Sequence, residues 1–235
     1  PLLPVCNRSL LRWTVALCVR HGVTELAVNL HHLGQQLRAE LGDGAALGAT
    51  RVVYSPEPAI LRTGGGIPAM AARLPRRTCL VLNAKYVMQL DLQQVLATHR
   101  AAGALATMVV RPDDNAAAWG AVHVDDQGRV ARILDHRRPG APDAPPHIFM
   151  GVHVLEPELI EAIPEPHGQP VCVIRTAYAE LLRRGAPVAA HVHRGYFYDH
   201  RTLPRYLQNN LNLVHGLAAP DHAPVVLAEG GKAMT

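Results

Sequence analysis

The stretch Val52-Val53-Tyr54-Ser55-Pro56-Glu57-Pro58-Ala59-Ile60-Leu61-Arg62-Thr63-Gly64-Gly65-Gly66-Ile67 decides how the rest of the chain is read. Residues 51–55 carry the β-branched and aromatic side chains of a strand, and Pro56 and Pro58 break it. Three glycines follow. Lacking Cβ atoms, they let the backbone take angles closed to other residues and let a flat or charged ligand approach the amide groups. The expectation is a ligand loop at Gly64, Gly65 and Gly66 leading into a helix over 67–74, with a plain flexible turn as the alternative that context must decide.

Outward from this stretch, apolar spacing alternates between the periods of helix and strand. Leu10, Trp13 and Leu17 lie at helical spacing and His21-Gly22 stops that helix, predicting one over Leu10–Arg20. A short buried strand at Glu25–Leu30, a helix over 33–41 and a turn at Gly42-Asp43-Gly44 come next. Beyond the glycines the pattern predicts a strand over 78–82, a helix over Leu92–Ala102 and a strand over 105–110. Strands alternating with helices at this spacing imply right-handed crossovers and a mostly parallel sheet.

From Gly120 the rhythm changes to a hairpin, with strands at 121–124 and 129–134 around the turn Asp125-Asp126-Gln127-Gly128. An exposed loop over 138–146, a strand over 148–155, a helix over 175–184, a strand over 187–198 and a helix over Leu203–Val214 complete the reading. Past Gly216 the Ala-, Pro-, Gly- and His-rich composition has no periodicity and reads as a tail.

Composition narrows the class. A chain of 235 residues with 49% hydrophobic content holds one substantial core. The net charge of +4 is spread out, with no block of like charges, which argues against a nucleic-acid partner. Cys6, Cys18, Cys79 and Cys172 form no Cys-x-x-Cys pair and suit a reducing cytoplasm. No apolar run reaches the roughly 18 residues of a membrane span. His191 and His193 share a strand face and His31-His32 are adjacent, but no third ligand has zinc-site spacing, and no nucleophile elbow surrounds Ser9 or Ser55.

Five segments occur together in one order: Pro1-Leu2-Leu3-Pro4-Val5-Cys6-Asn7-Arg8-Ser9-Leu10-Leu11, the strand and glycines ending in Leu61-Arg62-Thr63-Gly64-Gly65-Gly66-Ile67, Leu80-Val81-Leu82-Asn83, Phe149-Met150-Gly151-Val152-His153-Val154-Leu155-Glu156-Pro157, and Gly195-Tyr196-Phe197-Tyr198-Asp199-His200-Arg201-Thr202-Leu203-Pro204-Arg205-Tyr206-Leu207. In this order they resemble the sugar-1-phosphate nucleotidylyltransferases, most of all the bacterial branch with mannose-1-phosphate guanylyltransferases and N-acetylmuramic acid 1-phosphate uridylyltransferases. The resemblance implies an α/β fold, Rossmann-like and three-layered (αβα), with a mixed, mostly parallel sheet. It also implies one domain over 1–216, in which residues 1–119 bind nucleotide and residues 120–216 bind sugar phosphate, followed by the tail 217–235. The implied reaction joins a nucleoside triphosphate to a sugar 1-phosphate, giving an NDP-sugar and pyrophosphate in the cytoplasm, with Mg²⁺ as the implied cofactor and a homo-oligomer as a possible assembly.

The same resemblance assigns residues. Asp199 matches the second metal-binding aspartate, although an Asp there also suits a cap for the helix at Leu203. Glu57, Gly64, Gly65 and Asn83 match nucleotide-binding positions, while Gly120, Gly151 and Thr202 match sugar-binding ones; Glu57 also reads as a solvated turn residue, and the two lone glycines as strand bulges. The chain departs from the pattern at three places. Asn83-Ala84-Lys85 puts a cation where the family has its first metal aspartate, making Lys85 a catalytic candidate alongside Asp199. Arg62 and Arg201 replace glycines. Asp135-His136-Arg137-Arg138 is the nearest match to the Glu-Lys pair that holds the sugar phosphate. The family's glycine-rich loop and its following Lys are expected upstream of Pro1. A non-catalytic relative that binds nucleotide or NDP-sugar is the competing expectation, and it rests on Lys85, Arg62 and Arg201.

Overall fold

The computed structural model describes residues 1–165 and 170–218, so the tail expected at 217–235 lies almost wholly outside the described residues. In chain order the elements are β1 (Pro4–Val5), β2 (Arg8–Ser9), α1 (Leu10–Arg20), β3 (Glu25–Leu30), α2 (Gly34–Leu41), β4 (Arg51–Pro56), α3 (Arg62–Ala71), β5 (Cys79–Leu82), β6 (Tyr86–Met88), α4 (Leu92–Ala102), β7 (Ala106–Pro112), β8 (Val122–Val124), β9 (Val130–Ile133), β10 (His136–Arg137), β11 (Pro146–Leu155), α5 (Pro157–Glu161), α6 (Ala179–Arg183), β12 (Val188–Val192), β13 (Phe197–Asp199) and α7 (Leu203–Val214).

Several boundaries follow from local chemistry. Ser9 accepts a hydrogen bond from the Arg12 N–H at 3.2 Å and so starts α1. Asp91 accepts from the amides of Gln93 and Gln94 at the start of α4, and Gly103, at φ 53°, ends it in the left-handed conformation.

The central sheet is mixed. β11 lies between β5 and β7 and is antiparallel to both, while β12 runs parallel to β7. Strands β5, β7 and β12 therefore share one direction, and β11 opposes them. The antiparallel run β8–β9–β10 extends the sheet from the first residues of β11. β3 and β4 form a separate parallel pair, and β6 and β13 a separate antiparallel pair.

Side-chain alternation on β7 divides the core in two. Ala106, Met108 and Val110 pack with α6, α5 and Val173, whereas Val109 packs with α1 and α4. The sheet is thus covered on both faces, giving three αβα layers. Each fully buried Val or Met there contributes about 1.5–3 kcal/mol relative to exposure. Across one end of the sheet, His99 bridges Thr107 Oγ1 at 2.8 Å and Glu156 Oε1 at 2.7 Å, and Glu156 accepts from Thr78, which ties α4 to β7, β11 and β5.

Three expectations are corrected. The glycines are not a loop: α3 begins at Arg62 and contains all three, each buried and none at positive φ. The single strand over 187–198 is two, because the chain turns at Arg194-Gly195 and Phe197–Asp199 leaves β12 to pair with β6, helped by the Gln89 N–H donating to Tyr196 O at 2.9 Å. The helix over 175–184 opens as a π-turn at Ile174–Tyr178 before α6.

Candidate functional site

Glu57, Asn83 and Lys85 lie just past the ends of β4 and β5. The Glu57 N–H donates to Leu30 O at 2.7 Å, closing β4 onto β3, and Ala84, just past β5, packs against the cluster containing Leu30. Crevices at the carboxyl ends of strands are where open α/β sheets hold ligands.

Glu57 is buried, and its Oε1 accepts from Asn29 Nδ2 at 3.1 Å. A Cβ on Gly66 would sit 2.8 Å from that oxygen, so Gly66 is needed for α3 to lie against the carboxylate. A Cβ on Gly64 would sit 2.4 Å from Val171 Cγ1, and the Gly64 N–H donates to Val171 O at 2.7 Å. The Val173 N–H reaches Thr63 Oγ1 at 3.2 Å. Gly64 thus serves close packing of a strap at 171–173 onto α3 and Gly66 close packing of Glu57, and neither serves an unusual torsion angle. Arg62, which stands where the family has Gly, takes φ 56° in the left-handed region that favours glycine.

At the end of β5, Asn83 donates its N–H to Gly151 O at 2.9 Å, and its carbonyl accepts from the Lys85 N–H at 2.8 Å. Gly151 has φ 73° at the register shift of β11. A Cβ there would meet Tyr86 Cε2 at 2.6 Å and Asn83 Nδ2 at 2.8 Å, so the face of Gly151 matched to a sugar is occupied by the Tyr86 ring. Gly120, at φ 82°, opens the way into β8 against Leu134. Thr202 is the N-cap of α7, its hydroxyl accepting from the Arg205 N–H at 3.4 Å, which settles that Asp199 is not that cap.

The pairing of β6 with β13 sets Asp199 opposite Tyr86 and brings Lys85 beside it. The Lys85 carbonyl accepts from His200 Nδ1 at 3.1 Å, and His200 Nε2 accepts from Asn209 Nδ2 at 2.7 Å. That pattern uses one donor and one acceptor of a neutral ring, and burial lowers the pKa of His200 accordingly. Asp199 is buried; its Oδ2 pairs with the Arg201 guanidinium, its carbonyl accepts from Arg205 Nε at 2.9 Å, and its Oδ1 is a buried oxygen with no donor. Lys85 Nζ is exposed and lies 5.0 Å from the Tyr86 ring centroid.

Sequence reasoning missed Asn29, Tyr86, the strap at 171–173 and the Asp199–Arg201 pair. The last carried a signal: residues two apart on extended backbone share a face. Asp135, His136 and Arg137, matched to the sugar-phosphate pair, line a hollow of about 370 Å³ with Arg175, Thr176 and Arg183. No helix among the described residues is long and apolar enough to cross a membrane.

Helices on both faces of a mixed sheet, with candidate residues past its strand ends, define a three-layer α/β class of domain. The chain belongs to the Nucleotidyl transferase family, whose model matches residues 1–215. It is 29% identical over 219 residues to the mannose-1-phosphate guanylyltransferase of Mycobacterium tuberculosis, covering 93% of this chain and 59% of that protein. It is 36% identical over 99 residues to the N-acetylmuramate alpha-1-phosphate uridylyltransferase of Neisseria meningitidis, covering 42% of each. Its fold is similar to that of UDP-glucose pyrophosphorylase from Acinetobacter baumanii, with a TM-score of 0.74 at 15% identity over 97% of this chain and 90% of that one. The chain spans about half the length of the curated relatives it matches.

The family is typically dependent on a divalent metal. The residues present fit such an ion poorly. Mg²⁺ takes six oxygens in near-octahedral geometry, usually with carboxylates among them. Among the described residues no three His, Cys, Asp or Glu converge, and Asp199 has its charge offset by Arg201.

Proposed function

We propose that this chain is the nucleotidyl-transfer domain of an enzyme that makes an NDP-sugar from a nucleoside triphosphate and a sugar 1-phosphate. The observation that carries the reading is the match of the family model across residues 1–215. A phosphate oxygen of the sugar 1-phosphate attacks the α-phosphorus, the bond from that phosphorus to the bridging oxygen breaks, and pyrophosphate leaves with the electron pair. Such a displacement needs positioning and charge neutralisation more than covalent help.

In this reading the α3 end, Glu57 and Asn83 frame the nucleotide side, Gly120 and Thr202 the sugar side, and Lys85 and Arg201 the phosphates. Free thiols at Cys6, Cys18, Cys79 and Cys172 support a reducing compartment such as the cytoplasm.

The test is pyrophosphate release from the chain supplied with Mg²⁺, GTP or UTP, and mannose 1-phosphate or glucose 1-phosphate. Release that requires both substrates and is lost in Asp199→Ala supports transfer. The Asp199–Arg201 pair favours a second reading, a relative that binds NDP-sugars without turnover, and protein that binds GDP-mannose or UDP-glucose yet releases no pyrophosphate would establish it instead.

A further inference from the structure

Lys85 is held at both of its backbone groups, its N–H on Asn83 O and its carbonyl under His200 Nδ1, so the stem of its side chain starts from a fixed point beside the Asp199 strand. Among the described residues no carboxylate lies within ion-pair distance of its ammonium, which instead faces the Tyr86 ring. Arg201 pairs with Oδ2 of Asp199, and the buried Oδ1 of Asp199 has no donor. Arg201 thus offsets the one buried carboxylate of β13, while the Lys85 ammonium stands exposed at the start of the strand paired with it.

We propose that Lys85 and Arg201 hold the phosphates of an NDP-sugar in place of a divalent ion, so that this chain binds its nucleotide sugar independently of Mg²⁺. The proposal rests on the reading that the strand ends form an NDP-sugar site. An ammonium and a guanidinium supply charge and several donors to phosphate oxygens, which carries the neutralising part of a metal's role without a coordination sphere. Lys85 is exposed and gives up no buried ion pair to meet a ligand.

The experiment is calorimetric titration of the full chain with GDP-mannose and with UDP-glucose, in excess EDTA and again in Mg²⁺. Equal affinity in both buffers, to about twofold, is expected for the ligand that binds. Lys85→Met should weaken that binding in EDTA about ten- to a hundredfold, the weight of one charge-assisted hydrogen bond, and Lys85→Arg should retain most of it. Lys85→Asp should bind poorly in EDTA and recover in Mg²⁺, because it restores a second carboxylate. Binding that appears only with Mg²⁺ overturns metal independence while leaving the NDP-sugar site intact. Wild-type affinity in Lys85→Met removes Lys85 from the site. Failure of both ligands in both buffers removes the NDP-sugar reading itself, and this proposal with it.

Discussion

Replacing Gly64 by alanine should destabilise the domain, although alanine is the better helix former. A Cβ there lies 2.4 Å from Val171 Cγ1 and 2.7 Å from both Val171 Cβ and Val171 O. Rotation of the valine can relieve the first contact. The carbonyl cannot retreat without giving up the 2.7 Å hydrogen bond from the Gly64 N–H, and its strap is pinned two residues on by the fully buried Val173. Overpacking of this kind costs about 1–3 kcal/mol and a loosened backbone hydrogen bond about 1 kcal/mol, while exchanging Gly for Ala inside a helix returns about 0.5–1 kcal/mol. The net is a loss of about 1–3 kcal/mol, which in a domain of this size lowers Tm by about 2–10 °C. Differential scanning calorimetry of the variant beside the wild type reads it directly. Gly66→Ala is the internal control: its Cβ meets the end of a flexible carboxylate, Glu57 Oε1 at 2.8 Å, so Tm should move less while Glu57 is pushed off Asn29. A Gly64→Ala protein melting at or above the wild type would refute the close seating of the strap on α3.

Two further outcomes concern titratable groups. Burial pulls His153, bonded to Tyr178 Oη at 2.8 Å, down to about 3. The unfolded ring takes up its proton near 6.5, so its contribution is complete above that pH and falls away as pH drops from about 6.5 towards 3, at up to about 1.4 kcal/mol per unit. Urea unfolding at stepped pH should show this acid limb, shallower in His153→Gln, and a wild-type stability unchanged down to about pH 5 would contradict it. The Cys18 thiol is pushed up to about 12 by burial, which leaves almost no thiolate at neutral pH. Peptide mapping after treatment with an aromatic disulfide reagent should find Cys18 unmodified in the native protein and modified in guanidinium; modification of native Cys18 as fast as Cys6 would rule this out.

The alternation of helices and strands was legible because long, apolar elements carry their period in the sequence, and the hairpin because Asp125 to Gly128 spells a turn. The sequence misplaces the α7 cap: it offers Asp199, whereas Pro204 at the start of α7 marks Thr202. β6 and β13 were not legible, because three residues are too few to show a period and what defines them is a pairing more than a hundred positions apart in the chain. The glycines show a third limit. Sequence announces that a side chain is excluded at 64 and 66, but free torsion and close packing exclude it equally well, and only the neighbours Val171 and Glu57 decide between them.

The departures at Lys85 and Arg201 read differently once that hidden pairing is in place. As isolated residues, a lysine and an arginine where the resemblance leads one to expect an aspartate and a glycine are two independent departures. With β13 laid against β6, Lys85 immediately precedes the residue that faces Asp199, and Asp199 and Arg201, two apart on extended backbone, point the same way. A damaged metal site would leave Asp199 charged, buried and uncompensated, at a cost of several kcal/mol. Here Arg201 compensates it and Lys85 adds a second positive charge at the exposed rim. On the reading proposed above, the ammonium at that rim is the group available to meet the ligand's phosphates.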